Sequence, residues 1–359
     1  MKIAQVCPRY YPQIGGVESH VSEISKRLAQ MGHDVRVITT DSIGEMPRQE
    51  YIQDINVIRF KSWAPNDSYF FSLDLYRFLK SSSSEFDIVH AHSFHAFPAL
   101  MTAYAKKTNA LIFTPHYHGG GHSFVRDILH RPYGLIGKNI FIKADLVICV
   151  SDYERSLVTS KFHFDTSKLR VIPNGVDWKE FNGSAKKDVE RITILYVGRL
   201  ERYKRVDFLI RSLEYLERST KLEIVGTGPD KARLAKICYE LGLSDRVVFL
   251  DNLDRPALLE SFRRASVLAQ LSTKEAYGIT VAEALASGTP CVVANNSGLS
   301  AWIDNTNCFG IVDADDPRQV ALAITKAAGV VVSKAIVKDW DQVAEATLEA
   351  YNDAILNST

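Results

Sequence analysis

The stretch Glu275-Ala276-Tyr277-Gly278-Ile279-Thr280-Val281-Ala282-Glu283 sets two carboxylates eight residues apart around a turn that opens a helix. The first N–H groups of a helix have no intrahelical acceptor, so those of Tyr277 to Thr280 would point at an anion such as a diphosphate. Gly278 permits close backbone approach. Glu275, ahead of the helix, can accept from sugar hydroxyls, and Glu283, a turn into it, can accept two hydroxyls of a ribose. The helix dipole would favour Glu275 on its own account. It does not explain Glu283, which sits within the apolar run 279–285. A second cluster, Gly198-Arg199-Leu200-Glu201-Arg202-Tyr203-Lys204, directly follows an apolar run. Arg199 and Lys204 can neutralise a diphosphate leaving group without a metal, and their value grows as charge develops in the transition state. A solvated basic loop is the plain alternative.

Two further groups lie in the first half. Gly15-Gly16-Val17-Glu18 follows the first apolar run and opens a helix, where paired glycines let backbone amides approach a phosphate or form a tight turn. It is not a dinucleotide fingerprint, and Gly226-Thr227-Gly228-Pro229 also lacks the third glycine, which argues against a nicotinamide cofactor. Histidines recur as His90-x-His92-xx-His95 and His116-x-His118-xxx-His122. Alternate residues of a strand share a face, so each pair has metal-ligand spacing. The preferred reading is histidines lining a polar cleft, with no metal. A metallohydrolase is the rival. Asp313-x-Asp315 imitates a metal-binding pair, but Asp316 before Pro317 reads as a helix cap.

Positioning these groups requires a particular scaffold. Short β-branched runs alternate with helical segments, at 3–6, 34–40, 55–60, 86–92, 110–116, 145–151 and 169–172, then again at 192–198, 222–228, 247–251, 267–272, 290–294 and 309–313. Continuous apolar runs suit parallel strands covered on both faces. Two such series predict an α/β protein of two Rossmann-like, doubly wound domains. At 359 residues the chain is long for one core. The predicted boundary is Pro173-Asn174-Gly175-Val176-Asp177 with the polar stretch to Glu190, giving domains of 1–176 and 177–338. An amphipathic helix, 339–359, carries Trp340, Val343, Ala344, Leu348, Tyr351 and Ile355 near one face.

A net charge of +1 gives no general reason to expect nucleic acid. The five cysteines are odd in number and without CxxC spacing, which suits a reducing cytoplasm. No targeting peptide or membrane-spanning run is visible. Segment 123–143 mixes apolar residues with Arg126, Arg131, Lys138 and Lys143 and a single acid, Asp127. Such a segment can rest on a lipid surface, at the inner membrane face, or form ordinary helices packed on a sheet.

Together GGVESH (15–20), DIVHAH (87–92), TPHYHG (114–119), the VSxxE of Val150 to Glu154, PNGVD (173–177), VGRLERYK (197–204), VGTGP (225–229) and the E-x7-E stretch resemble the retaining glycosyltransferases of family four, which have the GT-B fold. The matches occur in family order and span nearly the whole chain. The resemblance implies two domains facing a central cleft, with the C-terminal helix crossing back onto the first. It implies a UDP-, GDP- or ADP-linked sugar as donor, a carbohydrate, lipid-linked or small hydroxyl acceptor, and no metal or other cofactor. By position, Arg199 and Lys204 would bind the diphosphate, Glu283 the ribose, and Glu275 with Ala276, Tyr277, Gly278, Ile279 and Thr280 the donor sugar and phosphates. His116 would reach the donor sugar from the other domain and Gly15 and Gly16 the diphosphate. Leu250 borders the base pocket, and Tyr10, Glu18, His20 and His92 are acceptor-side candidates. The chain departs from the family at Arg205 and Asp251, where glycine is usual, and at Tyr277, where phenylalanine is usual. A sugar-nucleotide epimerase would share the fold and donor site. A non-catalytic sugar-nucleotide-binding protein would be expected to have lost part of the cluster of Arg199, Lys204, Glu275 and Glu283, all of which are present.

Overall fold

The computed structural model describes the chain apart from Ile14, Thr108, 120–123, 182–190, Asn252, 334–336 and Thr359, and apart from the side chains of Asn66, 124–132 and 357–358. His122 and most of the expected polar linker lie outside the described residues. The chain divides into two compact units, one of Met1–Asn174 with Trp340–Thr359 and one of Gly175–Asp339. Both crossings fall within two residues of the boundaries expected at 176 and 338.

Unit 1 runs β1 (Lys2–Val6), α1 (Gly16–Gln30), β2 (Asp34–Asp41), β3 (Gln49–Ile52), β4 (Ile55–Lys61), α2 (Leu73–Ser82), β5 (Ile88–His92), α3 (Phe97–Ala105), β6 (Ala110–Thr114), α4 (Phe124–Lys143), β7 (Leu146–Cys149), α5 (Asp152–Lys161) and β8 (Leu169–Val171). Its sheet order is β3-β4-β2-β1-β5-β6-β7-β8, parallel except for β3. The order changes direction between β1 and β5, the crevice where open α/β sheets bind ligands. Each apolar run became a strand, because fully buried strands such as β6 have no polar face to alternate. β3 was not expected. Its sequence, Gln49-Glu50-Tyr51-Ile52, is short and polar, and it pairs antiparallel with β4 across a Gln53-Asp54 turn of positive φ.

Unit 2 runs β9 (Thr193–Val197), α6 (Val206–Ser212), β10 (Lys221–Val225), α7 (Lys231–Glu240), β11 (Val247–Leu250), α8 (Arg255–Arg264), β12 (Val267–Gln270), α9 (Ile279–Ala286), β13 (Cys291–Ala294), β14 (Cys308–Ile311) and α10 (Pro317–Ala328). Its strands are all parallel in the order β11-β10-β9-β12-β13-β14, with the change of direction between β9 and β12. Asp316 caps α10 by accepting from Arg318 N at 2.9 Å, as the Asp-Pro pair suggested. The last helix, α11 (Trp340–Ser358), belongs to unit 1. Trp340, Val343, Ala344, Tyr351 and Ala354 share one core cluster with Ile3, Val21, Ile24, Val57 and Ile112.

Gly226-Thr227-Gly228 is a packing device. A Cβ on Gly226 would stand 2.1 Å from the Gly198 carbonyl oxygen, and one on Gly228 would stand 2.3 Å from that of Leu200. The loop after β10 therefore lies directly on the loop after β9, joined by Leu200 N donating to Thr227 O at 2.8 Å. Gly226 also has φ of +135°, where side chains are strained. Gly226→Ala is expected to destabilise the protein by about 3 kcal/mol or more, read as a fall in urea midpoint without a change in slope.

Candidate functional site

In unit 2 the candidate residues gather at the carboxyl ends of β9 and β12. Arg199 to Lys204 follow β9, and Glu275 to Gly278 follow β12. Thr273 N donates to Tyr203 O at 3.1 Å and fastens the two loops together. Lys204 Nζ donates to Glu275 Oε1, with the two side chains only 13% and 23% exposed. Burial opposes the charge on Lys204, but the Glu275 carboxylate with the Tyr203 and Tyr196 hydroxyls outweighs it and raises the ammonium pKa. Lys204 is therefore a fixed cation. The pairing spans 71 residues, which no local spacing could reveal. Arg199 is more exposed, with its guanidinium 3.4 Å from Glu201.

The turn into α9 is held from behind. Gly298 N donates to Glu275 O at 2.8 Å, and Trp302 Nε1 donates to Tyr277 O at 2.7 Å. A Cβ on Gly298 would meet Ala276 O at 2.5 Å, so the turn rests on bare backbone. Gly278 is the N-cap with φ of +90°, which a side chain would resist. Beyond it the N–H groups of Ile279 and Thr280 have no intrahelical acceptor. Gln270, buried at the end of β12, donates to Val197 O at 2.6 Å and to Thr280 Oγ1 at 3.1 Å, so it aligns α9 with β9.

Glu283 lies half-buried in α9 and accepts from Arg255 Nη1 at 2.6 Å. Arg255, the first residue of α8, also donates to Glu180 Oε2. Burial opposes its charge, but the two carboxylates raise its pKa. Arg255 was missed in the sequence because Asp254-Arg255-Pro256 reads as an ordinary capped helix start. Leu250 ends β11 and its carbonyl accepts from Gly226 N at 3.0 Å, while Asp251 is ion-paired with Lys231. The departure at Arg205 has a visible cost, since the residue has φ of +57°, the left-handed conformation that glycine suits. Its guanidinium pairs with Asp315, which removes half of the apparent Asp313-x-Asp315 metal pair.

In unit 1 the candidates gather at β1, β5 and β6. Gly15 is the N-cap of α1 and Gly16 its first residue. Glu18 is buried and accepts from Arg9 Nε at 2.9 Å, and Tyr10, next to Arg9 in sequence, is also buried. His116 lies past the end of β6, half-buried, in a turn with φ of +48°. His20, His92 and His116 present ligand atoms that all lie within 4.8 Å of one another. His90 stands apart in function. It receives the Tyr351 hydroxyl at Nδ1 and donates to Thr114 Oγ1 from Nε2, both at 2.7 Å. His95 stacks on His118 at 4.9 Å between ring centroids. Sequence reading did not find Gln5, Asn174 or Tyr351, which hold this group in place.

The Glu of the VSxxE motif has a structural role. Glu154 is buried in α5 and accepts from Val150 N at 2.7 Å and from Tyr117 N. Burial raises its pKa from 4.5 to about 8 against those two backbone bonds. A raised folded-state pKa means the contribution to stability is full below pH 4.5 and is lost as pH rises to about 8. Stability should fall over that window by up to about 1.4 kcal/mol per pH unit. Glu154→Gln should remove this slope, measured by denaturant unfolding at a series of pH values.

The candidate membrane segment is one helix, α4. Leu135, Ile136 and Ile142 are exposed, and Lys143 Nζ lies 5.3 Å from the Tyr104 ring centroid. Among the described residues no helix is long and apolar enough to cross a membrane. All five cysteines are buried and none is joined in a disulfide.

In each Rossmann-like unit the candidate residues lie at the change of strand direction, where open α/β sheets bind ligands. The chain matches the model described as Glycosyltransferase Family 4 over residues 14–180 and that described as Glycosyl transferases group 1 over 177–328. It belongs to the family-four glycosyltransferases and has the GT-B fold. An uncharacterized glycosyltransferase of Methanocaldococcus jannaschii is 29% identical, over 99% of both chains. A D-inositol 3-phosphate glycosyltransferase of Xylanimonas cellulosilytica is 26% identical over 95% of this chain and 92% of its own. Among solved structures, Anabaena HepE in complex with UDP-glucose superposes with a TM-score of 0.78 at 19% identity, over 98% of this chain and 100% of that one.

Proposed function

We propose that the protein is a retaining hexosyltransferase that moves a sugar from a nucleoside-diphosphate donor to a hydroxyl of a carbohydrate, lipid-linked or small-molecule acceptor in glycan biosynthesis, with no metal on the diphosphate. The observation that carries this reading is the fixed Lys204 cation, in the loop that also holds Arg199. It is paired across the change of strand direction with Glu275, just ahead of the α9 N-terminus, whose N-cap Gly278 has no side chain. UDP-glucose in the similarly folded HepE supports the donor class. In this reading the phosphates lie against Ala276 to Thr280 with Arg199 and Lys204, Glu283 accepts from the ribose, and Leu250 borders the base. Gly15, Gly16 and His116 meet the donor from unit 1, where Tyr10, Glu18, His20 and His92 serve the acceptor. The anomeric bond loosens toward an oxocarbenium-like state while the cations stabilise the leaving diphosphate. The acceptor hydroxyl enters from the same face, and the departing phosphate oxygen takes its proton. Exposed Leu135, Ile136 and Ile142 with Lys143 suit an acceptor carried on the cytoplasmic face of a membrane.

The test is thermal unfolding against UDP, GDP and ADP, followed by transfer from the sugar donor of the base that stabilises. A ligand at 100 times its Kd adds about 2.7 kcal/mol. The product should keep the donor's anomeric configuration by NMR, with rates unchanged by EDTA. Stabilisation by no nucleoside diphosphate, or an inverted product, would overturn the reading.

A further inference from the structure

One face of unit 1 is more apolar at its surface than its own core requires. α2, α3 and α4 cover one side of the sheet, and α1 and α11 cover the other. Between α2 and α3 lies a groove of about 270 Å³ lined by Phe71, Leu73, Tyr76, Phe97, Leu100 and Tyr104. No charged side chain lines it, whereas small-molecule sites are larger, at roughly 300–1,000 Å³, and carry polar groups that orient the ligand. A sugar or a nucleotide therefore does not suit it. Trp63 continues the strip, because it exchanges both backbone hydrogen bonds with Phe71, at 2.8 and 2.9 Å. Residues directly opposite one another in an antiparallel pair share a face. Trp63 is 68% exposed, and Phe71, Leu73 and Tyr104 are 43–49% exposed. Beyond Tyr104 the exposed side of α4 begins. Asn139 Nδ2 donates to the Tyr104 hydroxyl at 3.0 Å. Leu135, Ile136, Ile142 and Lys143 recur at three- and four-residue spacing from Asn139, which sets them on the same side of that helix.

We propose that this face docks on an anionic lipid bilayer, with Trp63, Phe71, Leu73 and Tyr104 entering the interface and the groove between α2 and α3 open to the acyl chains. Contiguous apolar patches rimmed by polar residues are rare on monomers and mark membrane or protein contacts. Charge selects the bilayer. α2, residues 97–107 and α4 together hold eight cations and two acids, in a chain whose net charge is +1. Arg77 is paired with Asp74 at 3.2 Å and Lys106 with Asp145 at 2.6 Å. Lys80, Lys107, Lys138 and Lys143 are exposed. They belong to the rim of the strip, since Lys107 Nζ donates to Ser81 O at the end of α2 at 3.4 Å and Lys143 Nζ lies 5.3 Å from the Tyr104 ring centroid. Lysine stems lie along apolar surface while the ammonium stays with the headgroups, and aromatic rings settle at the same depth. A second copy of the chain is disfavoured, because a two-fold interface would set the same lysines against one another. For its role the inference rests on the reading of a membrane-borne acceptor. Docking is measured with no donor or acceptor present, so its failure leaves sugar transfer to be judged by its own assay.

The experiment is flotation of the untagged full chain with phosphatidylcholine vesicles, with and without phosphatidylglycerol. Binding is expected only where phosphatidylglycerol is present, and it should weaken as salt rises. Lys107→Gln and Lys143→Gln should each lower the affinity about fivefold, and Trp63→Ser combined with Leu73→Ser should lower it about tenfold or more. Tyr239→Ser, at an exposed aromatic residue on α7 of unit 2, should leave binding unchanged. Trp63 fluorescence supplies a readout that charge attraction alone would not move. Vesicles with brominated acyl chains should quench it, and Trp63→Phe should bind as the wild type does and lose that quenching. This conservative variant keeps the proposal testable if the double serine variant folds poorly. Failure to float with anionic vesicles, binding indifferent to the lysine variants, or bound protein whose Trp63 is not quenched would overturn the proposal. So would a dimer in sedimentation that Leu73→Ser dissociates, since the strip would then be a protein interface.

Discussion

Lys204→Ala is expected to lower kcat for sugar transfer by about 100-fold or more while the thermal transition remains cooperative. The magnitude is that of removing one preorganised charge from a site where negative charge develops. The same substitution strips Glu275 of its partner, and a half-buried carboxylate left alone carries a desolvation cost. The two effects separate by adding Glu275→Gln. The double variant should recover the stability lost through the orphaned carboxylate and recover none of the kcat. A double variant with restored turnover would mean that the loss came from the orphaned Glu275 carboxylate and not from the missing charge. Arg199→Ala should cost less, because its guanidinium is 47% exposed and shares its charge with solvent.

Glu283→Ala should act on a different quantity. A carboxylate that accepts from two ribose hydroxyls contributes about 1.5–3 kcal/mol per bond, so the donor KM should rise by about 100-fold or more with kcat changed far less. The diagnostic comparison uses a 2′-deoxyribose donor. The wild type should discriminate against it by about tenfold or more, and Glu283→Ala should barely discriminate at all. Arg255 complicates the site usefully. It binds Glu283 and Glu180 together, so Arg255→Ala should also raise the donor KM by freeing the Glu283 side chain to swing. Unchanged donor KM in Glu283→Ala would remove the ribose assignment.

The scaffold was legible because fully buried parallel strands leave continuous apolar runs, and thirteen of the fourteen strands among the described residues announced themselves that way. β3 escaped since an edge strand with one solvated face and four residues has no such run. The loops that gather at the carboxyl ends of β9 and β12 could each be picked out by residue type, because a glycine ahead of a helix start and a basic cluster after an apolar run are visible in a sequence. The pairings were not. Lys204 with Glu275 and Arg255 with Glu283 are brought together by the strand order β10-β9-β12-β13 and by the packing of α8 and α9, which act over distances that sequence spacing does not encode. The histidine cluster shows the same limit more sharply. HxH spacing drew attention to His90 with His92, yet the ring that joins His92 and His116 is His20, from α1 some seventy residues earlier, while His90 faces Tyr351.

The placement of α11 sets an order of events during synthesis. Unit 2 begins at Gly175 and ends at Asp339, and its two ends meet, with Val176 N donating to Lys338 O at 2.9 Å. All of its residues have been synthesised once Asp339 is added. Unit 1, begun first, still lacks Trp340, Val343 and Tyr351 from its core, and Tyr351 is the hydroxyl on which Gln5 and His90 depend. The half that is translated first is therefore the half that finishes folding last, with its sheet face uncovered for the whole time that unit 2 is being made.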